Sequence, residues 1–270
     1  MGDGERLKIA IIGAGGRMGR EVAIAALRDP GFQIVGAVDA AGSLCIGQDV
    51  GSLCGQGQTG ILVADSAEPA ARAATVLIEF SSPAASVEHA ELAARLGKAA
   101  VIGTTGFTAD QLELLRLAAE STPILLAPNM SVGICLLLKV LPLVAQALGD
   151  SYDVEIVETH HRHKKDAPSG TALALGQAIA AALSRDWSEA AVYGRRGVAP
   201  RQPGEIGLHA LRGGGSVGEH LVLFANDGEE IAITHRALSR QTFALGALRA
   251  ARYVAGRAPG LYSMQHALEG

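Results

Sequence analysis

Residues 8–21 read KIAIIGAGGRMGRE: an unbroken apolar run, a cluster of glycines, then a polar continuation. A strand buried on both faces is written as such a run, and glycines directly behind it permit a tight turn into a helix. Gly13, Gly15, Gly16 and Gly19 fall in that turn. The strict spacing G-x-G-x-x-G fails, because Met18 takes the third glycine position; the better description is Gly13-x-x-Gly16-x-x-Gly19. The stretch therefore predicts a parallel strand, a glycine turn and a helix over about residues 18–27, whose first backbone N–H groups can face an anion such as a pyrophosphate.

Downstream, FQIVGAVD (residues 32–39) reads as the second strand and ends on Asp39, twenty residues beyond Gly19. An acid at that distance can bond a ribose 2′-hydroxyl. Loop, strand, helix and acid together point to dinucleotide binding; the alternative is a glycine turn that serves packing alone. Ala40 and Ala41 follow Asp39, with no Lys or Arg to meet a 2′-phosphate, which favours NADH over NADPH. Arg17 in the loop argues the other way, since it can reach a phosphate. Two further strand ends, Gly103-Thr104-Thr105 and Ala127-Pro128-Asn129-Met130, are placed to line a nicotinamide or to be plain strand-to-helix turns.

Alternating strands and helices continue the pattern. TVLIEF (75–80), AAVIGTTG (99–106) and PILLAPNM (123–130) read as strands with their turns. Ser82 and Pro83 open a helix that Gly97 closes, and Thr108 with Gln111 forms a capping-box pattern. Residues 41–60 are Gly-rich and polar, so a long loop is expected. Repeated strand–helix units imply a parallel sheet covered on both faces. Past residue 132 the character changes. A helix over 133–148 leads to YDVEIVETH (152–160), which alternates like a half-buried strand; then come a helix opened by Pro168-Ser169-Gly170-Thr171, the strand EIGLHALR (205–212) and a hairpin turned by Asn226-Asp227-Gly228. The tail from residue 242 to 256 reads as helix. The fold class expected is α/β: an N-terminal Rossmann-like doubly wound parallel sheet plus a smaller α+β domain with a mixed or antiparallel sheet.

Composition agrees. In 270 residues, 49% are apolar and 34 are Gly, which suits a helix-rich α/β chain with many tight turns. A net charge of −4 argues against nucleic acid as a partner. The three cysteines lack metal-ligand spacing, the start MGDGERLKIAIIG lacks a leader pattern, and the apolar run ICLLLKVLPLVAQAL is short for a membrane span and broken by Lys139 and Pro142. No metal, no membrane and a cytoplasmic location are the expectations.

Against that mild acidity, residues 160–165 read HHRHKK. Metal binding is disfavoured, because Arg162, Lys164 and Lys165 repel a cation beside His160, His161 and His163. A solvated charged loop is the bland reading. An anion site is the sharper one: N–H groups of a helix starting near Gly170, with the Thr171 hydroxyl, can clasp a carboxylate, while His and Lys add donors worth roughly 1.5–3 kcal/mol each. Holding alone does not need histidine, whose titration range suits proton movement. Neighbouring positive charge should ease deprotonation of both His and Lys. Dinucleotide plus proton donor plus dianion site implies reduction of a small carboxylated substrate. A different oxidoreductase or a non-catalytic dinucleotide sensor would keep the glycine turn but has no use for the basic run.

EIVETHHRHKKDAPSGTAL (155–173) closely resembles the signature segment of the dihydrodipicolinate reductase family, and GAGGRMGRE, VIGTTGF and NMSVG resemble its other motifs in the right order. The resemblance implies NAD(P)H-dependent reduction of 4-hydroxy-tetrahydrodipicolinate to tetrahydrodipicolinate in lysine and diaminopimelate biosynthesis. It implies a dinucleotide-binding domain over 1–131 completed by 241–270, a substrate and oligomerisation domain over 132–240, and a homotetramer joined through the latter. By position, His160 resembles the family's acid/base residue and Lys164 its proton donor; His161, Gly170 and Thr171 resemble the ligands of the substrate carboxylate. Gly13, Ala14, Gly15, Gly16, Arg17 and Met18 resemble the pyrophosphate loop, Asp39 the ribose acid, and Gly103, Thr104, Thr105, Ala127, Pro128, Asn129 and Met130 the nicotinamide contacts. Two departures stand out. Ala40 replaces a basic residue that many members carry, and Met130 replaces an aromatic one.

Overall fold

The computed structural model describes residues 6–269. Residues 1–5, the polar start on which the expectation of no leader rests, lie outside the described residues. The chain divides into two units, one running to Val132 and resuming at Arg240, the other Gly133–Ser239.

In the first unit β1 (Leu7–Ile12) leads through the glycine turn to α1 (Arg17–Arg28) and β2 (Phe32–Val38). Then come α2 (Val50–Leu53), β3 (Val63–Ala64), α3 (Ala67–Ala73), β4 (Val76–Glu79), α4 (Pro83–Leu96), β5 (Ala99–Ile102), α5 (Ala109–Ala119) and β6 (Pro123–Leu126). The second unit holds α6 (Val132–Leu148) from its second residue, β7 (Asp153–His160), α7 (Gly170–Ala182), α8 (Trp187–Ala190), β8 (Ala191–Tyr193), β9 (Ile206–Arg212), β10 (Gly218–Ala225) and β11 (Glu230–Ala237). The tail returns to the first unit as α9 (Gln241–Val254), β12 (Gly260–Tyr262) and α10 (Met264–Glu269).

Among the described residues the first sheet has seven parallel strands in the order β12-β6-β5-β4-β1-β2-β3. Chain order reverses between β1 and β4, the switch point at which open α/β sheets place ligands. The caps form as the residues dictate. Ser82 Oγ accepts the N–H of Ala85, Gly97 takes a left-handed φ of 63°, and Thr108 exchanges bonds with Gln111. The tail is fastened by Arg252, which stacks on Phe32 and pairs with Asp29 at 2.6 Å.

Three readings need correction. The expected loop over 41–60 is organised around Asp49: its carboxylate caps α2 through the N–H groups of Gly51 and Ser52 and also takes those of Thr59 and Gly60. These bonds, led by that from Ser52, lower its pKa to about 2. A glycine-rich segment has no periodicity to betray such order. The tail also carries β12 and α10 beyond its expected helix, because a three-residue strand is too short to show a period. Lastly, the helical stretch Val132–Ser151 is 20 residues long with mean hydropathy 2.0, which meets the length for a membrane span. Here Leu141 and Ala145 of α6 are buried in the second unit's core with Val154, Ile156 and Phe224.

The second sheet has the order β11-β10-β7-β9-β8, antiparallel across β11-β10-β7 and parallel across β7-β9-β8, hence mixed. Strand period two decides its chemistry. Val154, Ile156, Glu158 and His160 occupy the buried face of β7, so the row that begins apolar ends ionisable.

Candidate active site

The glycine turn is held by backbone geometry. Gly13 and Ala14 donate to the carbonyl of Val38, and Gly13 has φ of 78°. A Cβ on Gly13 would lie 2.4 Å from the Phe80 carbonyl oxygen, and one on Gly19 2.1 Å from that of Gly13. Gly16 caps α1 without a side chain, leaving the first-turn N–H groups of this twelve-residue helix directed outward. The Asp39 carboxylate reaches back to accept the N–H of Gly15 at 2.7 Å and that of Ala40 at 2.8 Å. A cleft of about 370 Å³ opens beside the turn, bordered by Gly13, Gly16, Asp39, Ala40, Asp65 and Ser82. Glycine approach, unblocked helix start, acid and cleft fit a dinucleotide.

The other strand ends contribute differently. The Thr104 hydroxyl is turned inward, accepting from Ser86 Oγ at 2.9 Å, and Ala127 and Met130 are buried. Thr105 and Pro128 are exposed, and Asn129 Oδ1 accepts from the N–H of Ser131. Gly103 is packed on the Phe80 ring. At these ends the backbone, more than side chains, is available to line a ligand. Arg17 is exposed and Met18 half-buried. Glu79, buried in β4, was not anticipated: it accepts from Ser81 N–H and bonds His89 Nδ1 at 2.6 Å, fixing the turn behind β4.

In the second unit, His160 ends β7 and the basic turn begins. His160 Nδ1 lies 2.6 Å from Glu158 Oε2. Glu158 is fully buried, and Arg212 donates to both of its oxygens at 2.7 and 2.8 Å while Ser169 N–H donates to Oε1 at 2.9 Å. Register explains the meeting: Arg212 pairs with His160 across β9, and His220 pairs with Glu158 across β10. Ser169 caps α7, accepting the N–H of Ala172, and its hydroxyl also bonds His220 Nε2 at 3.0 Å. Gly170 and Thr171 are thus the first two residues of a thirteen-residue helix with a fixed cap. His161 is anchored through its N–H to the Ser216 carbonyl, and Lys164 pairs with Asp166 at 3.0 Å. Arg162, His163 and Lys165 are exposed.

Electrostatics follow from this packing. For Glu158 burial works against the charge, but Arg212, His160 and the Ser169 N–H overcome it and hold the carboxyl below the usual range. Burial lowers His160, with Lys164 and Arg212 adding to the effect and Glu158 opposing it. The positive surroundings anticipated for this histidine therefore act, but second to burial. His220 is pushed down to about 4, chiefly by burial and then by His160. The sequence reading names neither Glu158, Arg212 nor His220 as a site residue, and Ser169 only within the stretch that opens α7. Glu158 and His220 carry a signal as polar residues at inward positions of alternating strands.

A glycine turn that fits a dinucleotide in one unit and a buried acid–histidine pair ahead of a capped helix start in the other suit a nicotinamide-dependent reductase, and that is the class to which fold and site point. Comparison makes it particular. Residues 7–130 match the model of the dihydrodipicolinate reductase N-terminus and residues 133–268 that of its C-terminus, so the chain belongs to this family. A 4-hydroxy-tetrahydrodipicolinate reductase of Rubrobacter xylanophilus is 55% identical over 262 residues, covering 97% of this chain and 98% of the relative. One of Aromatoleum aromaticum is 49% identical over 263 residues, covering 97% and 95%. Among solved structures, a dipicolinate-bound dihydrodipicolinate reductase from Paenisporosarcina superposes with a TM-score of 0.74 at 25% identity, covering 96% of this chain and 98% of that one.

The buried histidine carries a pH prediction. The unfolded chain protonates His220 below about 6.5, whereas the fold refuses the proton down to about 4. Stability is thus full above the upper value and is lost as pH falls through the interval, by up to about 3 kcal/mol. Calorimetry between pH 7 and 4.5 should show a larger fall in Tm for the wild type than for His220→Gln; equal falls would assign the effect to other groups.

Proposed function

We propose that the chain is a 4-hydroxy-tetrahydrodipicolinate reductase, reducing that cyclic dicarboxylate to tetrahydrodipicolinate with NADH favoured as cofactor. The observation that carries the reading is His160, backed by a buried acid, standing at the turn that leads into the capped start of α7. Membership of the family supports the reaction, and the dipicolinate named with the Paenisporosarcina structure supports a small dicarboxylate as ligand.

Gly13, Ala14, Gly15, Gly16, Arg17 and Met18 hold the pyrophosphate, Asp39 the ribose, and the turns 103–105 and 127–130 the nicotinamide, which when bound supplies a hydride. The substrate loses water to give a conjugated imine, accepts hydride at ring carbon 4, and is left as an enamine. The N–H groups that open α7 at Gly170 and Thr171, with the Thr171 hydroxyl and His161, clasp a substrate carboxylate. Burial favours the neutral form of His160. Arrival of a dianion favours its charged form, so that a proton is gathered at the site as substrate binds. Lys164, with His160, delivers a proton to the carbon next to the one that received hydride. Among the described residues no Lys or Arg borders the cleft that holds Asp39 and Asp65, which supports preference for the cofactor without a 2′-phosphate. A homotetramer and a cytoplasmic location belong to the same reading and rest on the family resemblance.

The direct test is absorbance of the reduced cofactor, with substrate generated in the cuvette from pyruvate and aspartate semialdehyde by the upstream synthase. Synthase-dependent oxidation with higher kcat/KM for NADH than NADPH is expected. No oxidation by folded protein overturns the reductase, and a higher NADPH value overturns the cofactor preference alone. In the same assay Lys164→Ala should lower kcat by about 10²–10⁴-fold, the usual contribution of a general acid; a wild-type rate would remove Lys164 from the chemistry.

A further inference from the structure

We infer that Glu158 is the positioning residue of the site: its carboxylate fixes His160 as the tautomer with hydrogen on Nδ1, presents Nε2 for proton exchange, and ties that imidazole to the start of α7. The inference rests on the acid/base reading of His160 given above.

Positions 154 and 156 on the same face are Val and Ile and lie in the second unit's core, so an apolar residue at 158 would continue the row without desolvating an ion. A buried carboxylate is instead present, and a buried ion is a poor source of stability unless its geometry is well matched. The match here is complete in both oxygens. Oε2 receives His160 Nδ1 and Arg212 Nη1; Oε1 receives Arg212 Nη2 and the Ser169 N–H. Three parts of the site, the imidazole at the end of β7, the guanidinium at the end of β9 and the cap of α7, are thereby referred to one group.

Acid–base logic then sets the tautomer. An ionised carboxylate accepts and cannot donate. Glu158 is held ionised by Arg212 and Ser169, so Nδ1 of His160 must carry hydrogen. Nε2 is left as the atom that takes up or gives a proton, and it faces Gly218, where a Cβ would sit 3.0 Å away. A glycine at that position keeps a Cβ away from the nitrogen.

The field at His160 comes from every element packed around it. Arg212 on β9 and Lys164 in the turn are cationic, with Asp166 paired to Lys164. His220 on β10 stands edge-on with ring centres 5.2 Å apart, and His235 follows on β11 opposite His220. Glu158 is the anion that directly contacts the imidazole and opposes its burial. Without that charge, burial and the two cations act together to disfavour the imidazolium. A purely structural carboxylate would alter stability and leave proton affinity at His160 unchanged.

The test is nitrogen NMR of ¹⁵N-histidine-labelled full-length protein saturated with NADH, with His160 assigned from the spectrum of His160→Asn. The wild type should show neutral His160 protonated on Nδ1. Finding hydrogen on Nε2 overturns the inference without any Glu158 variant. In Glu158→Gln the His160 titration should move to lower pH by about one unit or more, the usual effect of losing an adjacent opposite charge. The limb of the kcat/KM profile that reports His160 should move with it. A folded Glu158→Gln with both unmoved also overturns it. Should His160→Asn retain the wild-type kcat, the acid/base reading fails separately, while the tautomer still reports on Glu158.

Discussion

The second unit depends on one buried carboxylate. Glu158 has no exposed surface, and ionised it can persist there only because donors satisfy both oxygens. Each donor belongs to a different local structure, so the need to keep that charge satisfied dictates where the end of β9, the end of β7 and the cap of α7 come to rest. The same strands that build an apolar core from Val154, Ile156, Ile206, Leu208, Val222 and Phe224 carry Glu158, His160, Arg212 and His220 further along. Core and site are consecutive stretches of one sheet face, and the site inherits the rigidity of the core.

The first unit solves a different problem, bringing backbone close enough to face a polyanion. Gly13 and Gly19 sit where any side chain would strike a carbonyl. That closeness, with Gly16 as a bare cap, leaves amide hydrogens of α1 as the polar groups at the turn. Asp39 links the turn to the end of β2 through Gly15, so the acid that is read as the ribose ligand also shapes the loop. Asp49 does comparable work in the segment after it, where one half-buried carboxylate gathers the N–H groups of Gly51, Ser52, Thr59 and Gly60.

Much of this is legible in the amino-acid sequence alone. The run KIAIIG and the glycines after it define a parallel strand and a close turn, and the caps at Ser82, Thr108 and Ser169 are local chemistry that tertiary packing did not override. His160, Lys164, Gly170 and Thr171 were visible because their charges and helix-start pattern are contiguous. What stayed hidden was set by register. Glu158 lies two residues from His160, yet its meaning depends on Arg212 and Ser169, brought to it from 54 and 11 positions away. His220 is a lone histidine in an alternating strand until β10 pairs with β7. Residues 41–60 read as a plain loop because hydrogen bonds to a single aspartate leave no period.

The central claim is that the second unit both holds a dianion and gathers a proton for it at His160. Titration calorimetry of pyridine-2,6-dicarboxylate into the NADH-loaded protein, in two buffers of different ionisation enthalpy near neutral pH, measures this directly. The account predicts net proton uptake by the wild type on binding and its loss in His160→Asn. Binding without uptake, or uptake that persists in the variant, would contradict it.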